Sequence, residues 1–147
     1  MSMLGLAQRR TAHSVTMHRR SNAPIVLIAE DDVVMATVLS DFLRSRGFAT
    51  LVSVDAMQTV MYALRSDPVL VLLDVNMPGG TGIHALQKLR ANAKTATLPV
   101  IAISGNTDLG VKQKLYDLGV EVFLSKPVDL EMLHQRIRGR LDAPEAT

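Results

Sequence analysis

The sequence predicts an α/β domain built on a doubly wound parallel sheet. Short apolar runs alternate with longer amphipathic segments five times between Ile25 and Leu141. The run Val69–Leu73 is apolar throughout, which marks a strand buried on both faces rather than one with a wet side. Four of the runs end abruptly in polar residues: Glu30 and Asp31, Asp74, Ser104 and Lys126. Strands alternating with helices require right-handed crossovers, and so a parallel sheet with helices on both faces.

Taken in order, Ile25–Ala29 is the first strand, stopped by Glu30-Asp31-Asp32. A helix follows from about Asp32 to Arg46, with Val34, Val38, Leu39 and Phe42 offered as its inward face and Gly47 as a left-handed cap. Phe48–Val54 reads as the second strand. Asp55 caps a helix over Ala56–Arg65 with Val60, Met61 and Leu64 as its stripe. Asp67-Pro68 ends that helix and opens the strand leading into Asp74. Thr81 or Gly82 starts the third helix, running to about Asn92 with Ile83, Leu86 and Leu89 inward. Pro99 precedes a fourth strand, Val100–Ser104, and Gly105-Asn106-Thr107 turns the chain. Asp108–Leu118 is the fourth helix, closed by Gly119, and Val120–Leu124 the fifth strand. Lys126-Pro127 leads into a last helix, Asp129–Leu141, with Leu130, Leu133, Ile137 and Leu141 at helical spacing. Five such units predict the flavodoxin-like strand order 2-1-3-4-5.

At 147 residues the chain suggests one folded unit, placed at 24–142, with a short tail at 143–147. It is long enough to bury a core without staples. The absence of Cys removes disulfides, thiolate metal sites and cysteine nucleophiles together. No apolar run is long enough to span a bilayer, and a cytoplasmic location is the expectation. The net charge of +2 is uneven: Arg9, Arg10, Arg19 and Arg20 all precede the first acidic residue, Glu30. Without those four, 12 basic residues face 14 acidic ones, so the basic pI belongs to the tail and argues for no nucleic-acid surface on the folded part. Residues 1–23 lack apolar periodicity and read as a disordered basic tail. A targeting peptide, a basic arm, and a start at Met17 stand as the other readings.

Ligands of open parallel sheets bind outside the carboxyl ends of the strands. Strands one and three are neighbours in the predicted order, so Glu30, Asp31 and Asp74 crowd together at that edge. Like charges ~4 Å apart repel by about 1 kcal/mol in water and about 4 kcal/mol at an effective dielectric of 20, so a cation is needed to offset them. All-oxygen ligands without sulfur favour Mg²⁺. With Lys126 nearby, the edge suits a phosphoryl group beside a carboxylate nucleophile, and Ser104 adds a hydroxyl donor.

Four segments in order, each after a predicted strand, carry a resemblance: Ile-Ala-Glu-Asp-Asp (28–32), Leu-Leu-Asp-Val-Asn-Met-Pro (72–78), Ile-Ser-Gly (103–105) and Leu-Ser-Lys-Pro (124–127). From Ile25 to Leu141 the chain resembles the receiver domain of two-component response regulators. The resemblance implies Glu30 and Asp31 as the Mg²⁺-binding pair, Asp74 as phosphoacceptor and metal ligand, and Asn76 as donor of a backbone carbonyl to the metal. It implies Ser104 as the switch hydroxyl, Lys126 as the lysine contacting the phosphoryl group, and a cis Lys126-Pro127 peptide. Asn76 and Asn106 take positions that tune phosphoryl lifetime, and Phe123 that of a rotating aromatic, here without a hydroxyl. Thr81-Gly82 departs from the Asp-Gly common in the family.

The expectation is therefore a stand-alone, phosphorylation-controlled binding module, with no DNA-binding domain and no enzymatic role beyond self-phosphorylation and autodephosphorylation. Phosphate would come from a sensor histidine kinase or a histidine phosphotransfer protein. A downstream protein would read the face of helix four, strand five and helix five, through which the chain is a monomer or weak homodimer. Two competing readings are a flavodoxin-like cofactor-binding enzyme and an unphosphorylated scaffold. The first lacks a glycine-rich loop after strand one. Phe123 is read equally as plain core. His13, His18, His84 and His134 show no metal spacing and are read as surface residues; the Met residues are read as core filler.

Overall fold

Each predicted unit forms one strand and one helix in the computed structural model, which describes residues 22–77, 82–105 and 109–142. The expectations for most of the basic tail, for the 143–147 segment, for Thr81, for Asn106 and Thr107 and for a helix start at Asp108 lie outside the described residues. The elements are β1 (Ile25–Ala29), α1 (Val33–Ser45), β2 (Ala49–Ser53), α2 (Ala56–Ser66), β3 (Leu70–Asp74), α3 (Gly82–Ala91), β4 (Val100–Ser104), α4 (Leu109–Asp117), β5 (Val122–Ser125) and α5 (Leu130–Asp142). The strands pair in parallel in the order β2-β1-β3-β4-β5.

Alternation along each buried strand divides the core in two. Leu27, Val71, Leu73 and Ala102 pack with Ala63, Leu86, Leu89 and Leu115 on the α2–α3–α4 side. Val26, Ile28, Leu72 and Ile103 pack with Leu39, Leu43, Leu133 and Ile137 on the α1–α5 side.

The helix starts follow the sequence closely. Asp32 Oδ1 accepts from the backbone N–H groups of Val34 and Met35, and Asp55 Oδ1 accepts from that of Gln58. Two strand starts shift for a shared reason. At the end of α1, Gly47 (φ +96°) donates to the Arg44 carbonyl and Phe48 to that of Leu43. At the end of α4, Gly119 (φ +87°) donates to Tyr116 and Val120 to Leu115. Both are Schellman closures, in which the hydrophobe after the glycine packs back on the helix. Phe48 and Val120 therefore close helices instead of opening β2 and β5.

Leu86 and Leu89 of α3 and Leu133 and Ile137 of α5 are buried as expected, whereas two inward helical faces are corrected. In α1 the buried residues are Ala36, Leu39 and Leu43, whereas Val34 and Val38 are exposed. In α2 they are Ala56, Thr59 and Ala63, while Met61 is exposed and Val60 and Leu64 are half-buried. Small side chains face the sheet on both helices, letting each backbone approach it closely. His134 is not a surface residue either: its ring meets Phe42 edge-on at 6.2 Å, and its Nε2 is buried with no hydrogen-bond partner among the described residues. His84 is exposed as expected.

Candidate functional site

The pairing of β1 with β3 matches Ala29 to Leu73, so the next residues in step are Glu30 and Asp74. Glu30 and Asp74 are buried and Asp31 is exposed, and one carboxylate oxygen from each lies within 4.8 Å of the others. Backbone hydrogen bonds fix Glu30 and Asp74. The Glu30 N–H donates to the Ser53 carbonyl, and the Val75 N–H donates to that of Ile103, holding the end of β3 against β4. The N–H of Asp32 donates to Glu30 Oε2 at 3.2 Å, and that of Asn76 to Asp74 Oδ1 at 3.1 Å.

Lys126 follows β5, two strands along the same edge from β3. Its backbone N–H donates to the Ser104 carbonyl, and the Lys126-Pro127 peptide is cis, as the resemblance implied. Its Nζ lies 3.1 Å from Glu30 Oε1 and 3.4 Å from Asp74 Oδ2. Burial pushes the Glu30 carboxyl above its usual range, and the neighbouring Asp74 charge adds to this against the opposing pull of Asp32 N–H and Lys126. Burial alone would lower the Lys126 ammonium, but Glu30 and Asp74 outweigh it and hold the pKa above normal.

The structure thus brings together Glu30, Asp31, Asp74 and Lys126, with Asn76 two residues beyond Asp74. Ser104 is buried at the end of β4. Beside it a polar pocket of about 110 Å³ is lined by Val75, Ser104, Gly105, Lys112 and Phe123. The Phe123 ring is half-buried, and the Lys112 ammonium stands 6.0 Å from its centroid. On the β1 side a groove of about 290 Å³ runs between α1 and β2, lined by Glu30, Asp31, Val33, Ala36, Val52 and Val54.

Two contributors carry no motif of their own. Gly82 begins α3 directly beneath the end of β3; a Cβ there would stand 2.8 Å from the Asp74 carbonyl oxygen and from Val75 Cα. Its N–H donates to the Val75 carbonyl, closing the loop that follows Asp74. A glycine soon after a carboxylate-ending strand was the available signal. Val33, exposed and lining the groove beside Glu30 and Asp31, was the other, visible only once the helical faces were known.

The donor set is three carboxylates balanced by one ammonium. All-oxygen ligands, an excess of negative charge and one exposed carboxylate fit a small hard divalent cation that keeps several waters.

Comparison with known proteins places these residues in context. The family model described as the response regulator receiver domain matches residues 26–138. A DNA-binding dual master transcriptional regulator, RpaA, from Synechocystis is 30% identical over 118 residues, covering 80% of this chain and 49% of that protein. The chain spans about half the length of the curated relatives it matches, the Mycobacterium tuberculosis DNA-binding regulator MtrA among them at 32% identity and 50% of its length. A response regulator receiver protein from Pseudomonas putida is 31% identical with a TM-score of 0.75, covering 79% of this chain and 96% of that one. The receiver domain of sensor histidine kinase PA1611 from Pseudomonas aeruginosa PAO1, solved with a magnesium ion coordinated in its active-site cleft, is 26% identical with a TM-score of 0.76, covering 82% and 99%.

Proposed function

The chain belongs to the response regulator receiver domain family, a family of signalling modules rather than enzymes, and from that premise we propose that Asp74 accepts a phosphoryl group in an Mg²⁺-dependent step. The single observation that carries the reading is the convergence of Glu30, Asp31 and Asp74 with the Lys126 ammonium at one sheet edge. The donor is a phosphohistidine on a sensor kinase or phosphotransfer protein. An Asp74 carboxylate oxygen attacks phosphorus, the P–N bond breaks, and the electron pair leaves with the imidazole nitrogen. The product is an aspartyl phosphate and a free histidine.

Glu30, Asp31, Asp74 and the Asn76 backbone carbonyl would hold the cation. When bound it neutralises charge on the carboxylates and on the phosphoryl oxygens. Lys126 needs only to shift from Asp74 Oδ2 to a phosphoryl oxygen, keeping its charge where negative charge accumulates. Ser104 donates its hydroxyl to another phosphoryl oxygen. The exposed Val33 and Val34 at the rim of the carboxylates give a protein donor apolar surface to settle on.

The output is a population shift between two conformations. Ser104 moves toward the phosphoryl group, Phe123 follows into the pocket beside it, and a downstream protein reads the altered α4–β5–α5 face. DNA binding is named for the relatives, of which this chain spans about half. The domain reading follows: residues 24–142 form the receiver unit. Calorimetric titration with Mg²⁺ tests the site. We expect one binding event in the wild type, lost in Asp31→Asn; absence of binding by the wild type contradicts the reading.

A further inference from the structure

Arg90, in the last turn of α3 and at the opposite end of that helix from the carboxylates, reaches four main-chain oxygens. Its Nε donates to the Leu118 carbonyl at 2.7 Å, and its Nη1 reaches the carbonyls of Leu98 at 2.7 Å, Ala96 at 3.2 Å and Thr95 at 3.3 Å. One half-buried guanidinium therefore ties three segments together: α3, the chain entering β4, and the closing residue of α4. Among the described residues no carboxylate pairs with it, so carbonyl dipoles alone compensate the buried charge. Burial, and then the Arg140 charge, lower its pKa.

The Leu118 oxygen is one of the carbonyls that a helix end leaves without an intrahelical partner. Gly119 follows with φ +87°, the left-handed conformation that closes α4, and a Cβ there would stand at an ordinary van der Waals distance of 3.6 Å from the guanidinium. Docking of α4 thins toward its start: Leu115 is its one buried residue, Val111 packs half-buried on the core, and Leu109 is 84% exposed. The helix is thus anchored at its carboxyl end and lightly docked at the end nearer Ser104.

We propose that Arg90 is a positioning residue that pins the carboxyl end of α4 to the entry of β4, so that a displacement begun at Ser104 swings the amino half of α4 about a fixed pivot. The proposal deepens the reading of Asp74 as a phosphoacceptor and rests on it. β4 has its entry in the Arg90 clamp and Ser104 at its other end. The clamp therefore holds one end of α4 still while the other follows the site. Lys112, which faces Phe123, lies in the moving half.

Backbone amide hydrogen exchange on the whole chain tests this, with and without Mg²⁺ and a small acyl phosphate, for wild type, Arg90→Met and Arg90→Lys. In the wild type, phosphorylation is expected to change exchange across 109–113 and leave 115–118 within about twofold. In Arg90→Met, residues 115–118 should exchange at least about tenfold faster before any phosphate is added, and phosphorylation should then alter the whole helix. Arg90→Lys, whose ammonium satisfies fewer carbonyls, should fall between. Wild-type exchange at 115–118 and an unaltered asymmetry in Arg90→Met overturn the proposal. Should that variant not fold, wild-type behaviour of Arg90→Lys overturns it equally. Intact mass of the same samples separates the two readings. A wild type that takes up no phosphate refutes the phosphoacceptor, whereas the unphosphorylated exchange rates at 115–118 judge the clamp by themselves.

Discussion

Lys126 Nζ lies 3.4 Å from Asp74 Oδ2, although their strands are not neighbours. β4 stands between them, and the lysine side chain reaches over it to Asp74 and on to Glu30 at 3.1 Å. An ammonium on a flexible stem suits that span, and it is the one cation ion-paired with these carboxylates among the described residues.

Removing that ammonium exposes what it offsets. Lys126→Met should destabilise the metal-free protein by about 1–3 kcal/mol, because a buried carboxylate loses its charged partner. Adding Glu30→Gln should restore much of the loss. Urea unfolding of the two single variants and the double variant measures the coupling, and additive effects would show that the pair does not interact.

Glu30 sets a pH dependence of definite sign. Its folded pKa lies above 4.5, so the folded state holds its proton more tightly than the unfolded chain does. That contribution is complete below the unfolded value and is lost as pH rises through the folded one. Metal-free protein should lose stability across that interval through this group, and Glu30→Gln should flatten that component. Unfolding midpoints in the presence of a chelator, taken from pH 4 upward, check it; identical slopes for both proteins would contradict it.

Gly82→Ala places a methyl 2.8 Å from the Asp74 carbonyl oxygen. Backbone must move, and the backbone that moves carries Asp74, the proposed phosphoacceptor. We expect a stability loss of about 1–3 kcal/mol and slower phosphoryl uptake from a small donor. Denaturant unfolding and uptake kinetics on the same variant report the two effects separately.

The corrected face of α1 gives a contrast within one helix. Leu39→Ala should cost about 2–5 kcal/mol, whereas Val34→Ser should stay within about 0.5 kcal/mol. Equal losses would return Val34 to the core.

That contrast also marks what the sequence made legible. The strands, their order and the caps at Asp32 and Asp55 follow from runs and single residues whose local chemistry allows few alternatives. So did the meeting of Glu30, Asp31, Asp74 and Lys126, because a parallel sheet sends the ends of all its strands to one edge. The faces of α3 and α5 were legible, Leu86, Leu89, Leu133 and Ile137 being buried as expected. Those of α1 and α2 were not, since valine and methionine outrank alanine as hydrophobes while the sheet selects Ala36, Ala56 and Ala63 for their size. Phe48 and Val120 look like strand residues until the glycine before each is seen to close a helix. Arg90 carries no signal at all, because its partners are main-chain carbonyls from segments distant in sequence.

The central claim is that Asp74 is a phosphoacceptor, and intact-mass analysis after incubation with Mg²⁺ and a small acyl phosphate tests it most directly. The account predicts a gain of one phosphoryl group in the wild type, none with a chelator present, and none in Asp74→Ala. No gain in the wild type, or an equal gain in Asp74→Ala, would contradict it.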